Sequence, residues 1–111
     1  MNSYEIWCDL RPGQNDLEFC ESVGSYLGHL LNAGFLESFR VRRRKLGFAP
    51  DGFGEFNITL EFCDMTQMDQ AFLAVARRSG ELEELHKKVY SSVVNAKFAL
   101  YRDFPDEVRV S

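Results

Sequence analysis

Residues 55–62 read Glu55-Phe56-Asn57-Ile58-Thr59-Leu60-Glu61-Phe62, and this stretch decides the fold. Phe56, Ile58, Leu60 and Phe62 alternate with Glu55, Asn57, Thr59 and Glu61. Successive strand side chains point to opposite faces, so the stretch predicts a strand with one apolar and one polar face. β-branched and aromatic residues suit that pleat, and no proline interrupts it. A strand divided this way belongs at the centre of a sheet, with helices over its apolar side. What its polar side does is then the functional question.

Upstream, Tyr4, Ile6, Cys8 and Leu10 alternate with Glu5, Trp7 and Asp9, predicting a first strand from Ser3 to Leu10 that ends in the Arg11-Pro12-Gly13 turn. A helix follows, capped by Asn15 or Asp16, with Asn15 and Glu18 spaced as a capping box. Leu17, Cys20, Val23, Leu27, Leu30 and Leu31 make its expected buried stripe. Gly24 and Gly28 lie inside this helix, each costing about 1 kcal/mol relative to Ala, and read as points of close approach to the sheet. Gly34 suits a left-handed C-cap. Leu36 to Leu46 is the second strand, with Phe39 and Val41 on one face and Arg40, Arg42 and Arg44 on the other. A bulge there would exchange Arg42 for Arg43. The turn-rich run 47–54 makes the second and third strands a hairpin.

Downstream, Asp64 or Thr66 starts a helix whose stripe is Met68, Ala71, Phe72, Val75 and Ala76. Ser79-Gly80 breaks it, and Ser79 caps a third helix from Glu81 to about Asn95, with Leu82, Leu85, Val89 and Val93 inward. Glu83–Lys87 and Glu84–Lys88 have the favourable i,i+4 order, worth about 0.2–0.5 kcal/mol each. Lys97 to Phe104 is the last strand, stopped by Pro105, and Val108 and Val110 alternate briefly in the tail. Short connections and right-handed crossovers turn this order into one ferredoxin-like α+β domain over residues 1–111: a four-stranded antiparallel sheet, order 4-1-3-2, with its helices on one face.

Composition narrows the function. The 111 residues are 45% hydrophobic, with ten Phe, enough for one modest core. A net charge of −4 argues against a broad nucleic-acid or anionic-membrane surface. Cys8, Cys20 and Cys63 are an odd number without metal-ligand spacing, which argues for a reducing compartment and against a zinc site. With no signal-like start and no apolar run of about 18 residues, the expected location is soluble and cytoplasmic.

Alternation puts Glu5, Trp7, Asp9, Arg40, Arg42, Arg44, Asn57, Thr59, Glu61, Lys97, Ala99 and Tyr101 on the helix-free face. Large aromatics in a polar sheet face mark interfaces and ligand clefts. In length, element order and the split helix before the last strand, residues Ser3 to Phe104 resemble the dimeric α+β barrel proteins, in particular their small bacterial members of unknown function. The resemblance implies a homodimer joined through the open sheet faces, around a cleft that binds a small molecule. On that reading the cleft candidates are Trp7, Asp9, Arg42, Asn57, Thr59, Glu61 and Tyr101, with no metal and no cofactor. Some members of that superfamily are cofactor-free monooxygenases that use polar and aromatic cleft residues, and Trp7 and Asn57 are the matching types here. Haem-degrading members carry a His-Trp arrangement that this chain lacks.

The simpler readings stand beside these. His29 and His86 each lack convergent partners and read as structural or surface histidines. Cys8 and Cys20 read as small core hydrophobes. The run Arg40-Val41-Arg42-Arg43-Arg44-Lys45 could hold an anion, but charge protecting an edge strand explains it better, with Arg40 and Arg42 paired to Glu61 or Glu55. Glu5, Asp9 and Glu61 could act as acids or bases, and ion pairing with the arginines is the plainer account. RNA-recognition motifs share the topology, and Gly52-Phe53-Gly54 resembles part of their signature. That signature wants a basic residue before and an aromatic after, where this chain has Asp51 and Glu55. No nucleic-acid partner is expected.

Overall fold

A computed structural model describes residues 1–105; the Val108/Val110 alternation lies outside them. In chain order the elements are β1 (Asn2–Leu10), α1 (Asp16–Asn32), β2 (Ser38–Arg43), β3 (Phe56–Phe62), α2 (Met65–Ala76), α3 (Gly80–Tyr90) and β4 (Val93–Arg102). They form a four-stranded antiparallel sheet in the order β2-β3-β1-β4, the expected order read from the other edge.

The register fixes both faces. Val41, Ile58, Ile6 and Phe98 make one row across the helix side of the sheet, and Phe39, Leu60, Tyr4 and Leu100 make the next, with the β4 members Phe98 and Leu100 exposed. On the other face the rows are Arg42-Asn57-Trp7-Lys97, Arg40-Thr59-Glu5-Ala99 and Ser38-Glu61-Ser3-Tyr101. β2 pairs without interruption, so Arg42 stays on the open face and Arg43 turns to the helix side. There Arg43 binds Glu55 at 2.6 Å and Asp16 at 2.9 Å. The irregularity falls on β4 instead: Trp7 pairs with Lys97 but Asp9 with Val94, one extra residue on β4. Asn95 absorbs it at φ 57, a left-handed conformation Asn tolerates, and donates from Nδ2 to Asp9 Oδ2 at 3.3 Å.

The caps follow the sequence. Asn15 accepts from the Glu18 amide at 2.9 Å, and Asp64 accepts from the Gln67 amide at 2.8 Å. α1 ends in a Schellman motif, in which Phe35 N–H donates to Leu30 C=O and Gly34 N–H to Leu31 C=O, with Gly34 at φ +82. Its buried stripe is Phe19, Val23, Leu27 and Leu30, so Cys20 is exposed and Leu17 is 78% exposed. The spacing admits both stripes, and the one carrying the larger Phe19, edge-on to Phe56, wins the core. Gly24 and Gly28 have open space where a Cβ would sit and make no close approach to the sheet.

α3 is shorter than expected, ending at Tyr90, and β4 begins earlier, at Val93. The Ser92 hydroxyl donates to Lys88 C=O at 2.6 Å, closing the last turn, and β-branched Val93-Val94 favours the strand. Ser79 occupies the N-cap of α3 without a side-chain hydrogen bond. Glu83 turns from Lys87 toward Arg78 and His86. β2 is likewise shorter than Leu36 to Leu46, because Leu36 belongs to the core and Arg44 to Leu46 lead into the hairpin loop. No helix among the described residues is long and apolar enough to cross a membrane.

Candidate functional site

Two concave regions lie on opposite sides of the sheet. The smaller, about 320 Å3, is on the open face between β2, β3, the tip of β1 and the hairpin loop. Its floor is Trp7, on which Phe53 packs with ring centroids 4.7 Å apart. That contact accounts for the Gly52-Phe53-Gly54 sequence. Gly52 takes φ +83, and a Cβ on Gly54 would fall 2.5 Å from the Cys8 backbone, so the loop folds flat over β1.

The polar groups around Asn57 satisfy one another. Asn57 Oδ1 accepts from Arg42 Nε at 3.1 Å and Nη2 at 2.7 Å, while its Nδ2 donates to Glu5 Oε1 at 3.1 Å and to Ile6 C=O at 3.2 Å. Thr59 donates to Glu5 Oε1 at 2.8 Å and is 3% exposed, although it points away from the helices. Arg42 therefore meets Asn57, Thr59 and Glu5 rather than Glu61 or Glu55, and among the described residues Arg40 has no ion pair. Arg43, not Arg40 or Arg42, takes Glu55.

Of the expected cleft residues, Trp7, Arg42, Asn57 and Thr59 form one cluster. Glu61 accepts from Ser3 Oγ at 2.8 Å in the Tyr101 row, and four residues of strand put that row roughly 13 Å from Trp7. Asp9 caps the other end, accepting from the Glu55 amide at 2.9 Å. Tyr101 is 61% exposed.

The larger region, a chamber of about 660 Å3, lies between the helix side of the sheet and the three helices. Val23, Leu27, Leu30, Ile58, Leu60 and Val75 line its depth, while Phe72 and Phe98 line it and stay partly open to solvent. Four of its polar members, Tyr26, Arg78, His86 and Tyr90, line one corner, with Glu83 behind His86, while Tyr4 and Asn95 line it from the sheet. His86 stacks on Tyr26 at 5.0 Å and meets Tyr90 edge-on at 4.8 Å. Glu83 Oε1 accepts from the Tyr90 hydroxyl at 3.2 Å and lies 3.9 Å from Arg78. Glu83 Oε2 and His86 Nδ1 are buried without a hydrogen-bond partner, 3.8 Å apart. Burial holds the His86 imidazole below its ordinary range, with Glu83 pulling the other way and Arg78 reinforcing the fall. Burial, then Tyr4 and Glu83, pushes the Tyr26 phenol up to about 12.

Sequence reasoning missed this corner. His86 read as a lone histidine because its partners, Tyr26 and Glu83, come from another helix and from a position assigned to a surface pair. Neither Cys8 nor Cys63 is an activated thiol. Burial and then Asp9 push the Cys8 thiol up to about 11, and desolvation followed by Asp64 and Glu37 raises Cys63.

This architecture is that of the ferredoxin-like α+β proteins, and the resemblance to the dimeric α+β barrel group is borne out at the level of the fold. The chain is similar to the Arabidopsis thaliana protein At3g17210, with 9% identity, TM-score 0.74, and 96% of this chain and 99% of that one covered. It is similar to SnoaB, a cofactor-independent oxygenase from Streptomyces nogalater, with 7% identity, TM-score 0.68 and coverage of 95% and 97%. It also resembles a dimeric ferredoxin-like protein of unknown function from Jannaschia sp. CCS1, with 9% identity, TM-score 0.67 and coverage of 92% and 98%. No curated protein matches the sequence. The chain belongs to the family of unknown function DUF6614, which matches residues 1–111.

Proposed function

We propose that the protein is a homodimer that pairs its open sheet face with that of a second copy, and that each subunit takes an apolar small molecule into its helix-side chamber. The chamber carries the reading. A large, mostly apolar cavity with a few convergent polar groups is the usual form of a small-molecule site. The open face supports the pairing half: its hydrogen bonds are internally complete around Asn57, and Trp7 with Phe53 offers an aromatic surface among them. The dimeric relative from Jannaschia is in keeping with this arrangement.

The expected open-face cleft, with Trp7, Arg42, Asn57 and Thr59 around 320 Å3, is the second reading. Likeness to a cofactor-independent oxygenase makes catalysis on a bound aromatic molecule the form an enzymatic activity would take.

Native mass spectrometry with NMR titration of p-xylene tests the proposal. The expected result is a dimer that Trp7→Glu converts to monomer, with p-xylene shifting the methyl signals of Val23, Leu27 and Ile58. A monomer at all concentrations would remove the pairing. Shifts confined to the Trp7 indole would move the ligand to the open face, and no binding would remove the chamber reading.

A further inference from the structure

Two hydroxyls of the chamber wall are unmatched and within reach. Tyr4 from β1 and Tyr26 from α1 both line the chamber. Neither phenol oxygen has a hydrogen-bond partner among the described residues, and both keep accessible surface. Water satisfies such groups while a cavity is wet, but an apolar ligand that fills the cavity strips that water away. Each hydroxyl then goes unpaired unless the ligand itself meets it. Both rings are held in place for a partner. Tyr4 lies edge-on to Phe72 at 5.2 Å and stacks on Phe98 at 5.8 Å, and Tyr26 stacks on His86 at 5.0 Å.

The group they call for follows from their protonation and their neighbours. Burial raises the Tyr4 phenol above its ordinary value. Burial, then Tyr4 and then Glu83, push Tyr26 up to about 12, so the two phenols are near enough to act on each other. Both stay O–H donors through neutral pH. Among the described residues no Asp or Glu lines the chamber, so the wall is richer in hydrogens than in lone pairs. A carbonyl oxygen has two lone pairs and no hydrogen, and accepts from two hydroxyls at once. A carboxylate fits less well. The charge of Glu83 already reaches Tyr26 and would repel it, while Arg78 is turned to Glu83 at 3.9 Å and to the Tyr90 ring at 6.0 Å.

We infer that Tyr4 and Tyr26 donate to a carbonyl oxygen of the chamber's ligand, so that the site selects a largely apolar, uncharged carbonyl compound. This rests on the chamber reading above and names its substrate class. The aliphatic depth around Val23, Leu27 and Ile58 takes the rest of the molecule.

Three probes of nearly one shape test it: 4-methylacetophenone, which carries the carbonyl; p-cymene, its hydrocarbon counterpart; and 4-methylbenzoate, its anionic one. Each is titrated by NMR into the full-length protein and its Tyr4→Phe and Tyr26→Phe variants, which keep both rings. The affinity of the ketone relative to p-cymene should fall about tenfold in each variant, the worth of one hydrogen bond to a buried partner. In the wild type, 4-methylbenzoate should bind at least about tenfold more weakly than the ketone, the scale on which an unpaired charge is penalised. A relative affinity that stays within about twofold in either variant, with p-cymene still bound, would overturn the inference and leave the chamber reading standing. Benzoate binding as tight as the ketone would overturn the uncharged class. Failure of all three probes to bind would remove the chamber reading and the inference with it. Infrared spectra of the ketone bound to the wild type decide without any variant: its C=O stretch should fall below the value in a hydrocarbon solvent, and an unshifted band would overturn the inference.

Discussion

Replacing Asn57 with Ala separates a structural residue from a ligand-reading one. The Asn57 side chain makes four hydrogen bonds, two to the Arg42 guanidinium at the exposed end of the row and two, to Glu5 and the Ile6 carbonyl, in a half-buried setting. The pair to Arg42 is solvated and contributes together about 0.2–1 kcal/mol. The bonds to Glu5 and Ile6 contribute about 1 kcal/mol each, since Glu5 keeps Thr59 as a donor but the Ile6 carbonyl loses its side-chain partner. The sum is about 2–3 kcal/mol, or roughly 8–12 °C in Tm for a domain of this size. Urea denaturation followed by circular dichroism reads it as a lower midpoint at constant slope. The comparison is repeated over a range of protein concentrations, because a dimer's apparent stability rises with concentration. A loss below about 0.5 kcal/mol, the ordinary range for a surface change, would refute the reasoning. Asn57 would then be free to serve a bound molecule.

Gly54→Ala places a Cβ 2.5 Å from the Cys8 backbone, which cannot yield as a side-chain tip would, so a loss of about 1–3 kcal/mol is expected. A variant as stable as the wild type would mean that the loop does not lie flat on β1. Asn15→Ala removes the acceptor for the Glu18 amide and should cost about 1 kcal/mol by the same denaturation assay; no measurable change would argue against the cap. Because burial lowers the His86 pKa below 6.5 in the folded state, the unfolded chain takes up that proton first on acidification. Stability then declines as pH drops through 6.5 and levels off below the folded-state value. His86→Phe should flatten that segment of the curve, and superimposable curves would show that His86 does not contribute. Fluorescence titration with a single-stranded RNA at low salt should stay flat; binding that weakens with added salt would restore the nucleic-acid reading.

The period of two in β1 and β3 was legible because one face of each strand is buried and a one-residue slip would expose it. The same pattern named the residues of the open face but not their register, so it offered Arg42 to Glu61 or Glu55 where the structure pairs it with Asn57. The stripe of α1 was only half legible. Leu17 and Cys20 sit as regularly as Phe19, and which set turns inward depends on Phe56 across the interface. The end of α3 was misjudged because helical spacing runs on through Val89 and Val93, whereas Ser91-Ser92 and the paired valines act against it locally. The chamber was not legible at all. It depends on how far the helices stand from β1 and β4, a tertiary quantity that no residue period encodes.

The two sides of the sheet handle polar groups in opposite ways, and this separates their roles. On the open face, Asn57, Thr59, Glu5 and Arg42 satisfy one another and leave little around Trp7 for a ligand to complete. On the helix side, most of the wall is aliphatic and needs nothing, while behind it Glu83 Oε2 and His86 Nδ1 stay buried without a hydrogen-bond partner. A core packed for stability alone would replace Glu83 and His86 with apolar residues, since a half-satisfied polar pair is worse than none.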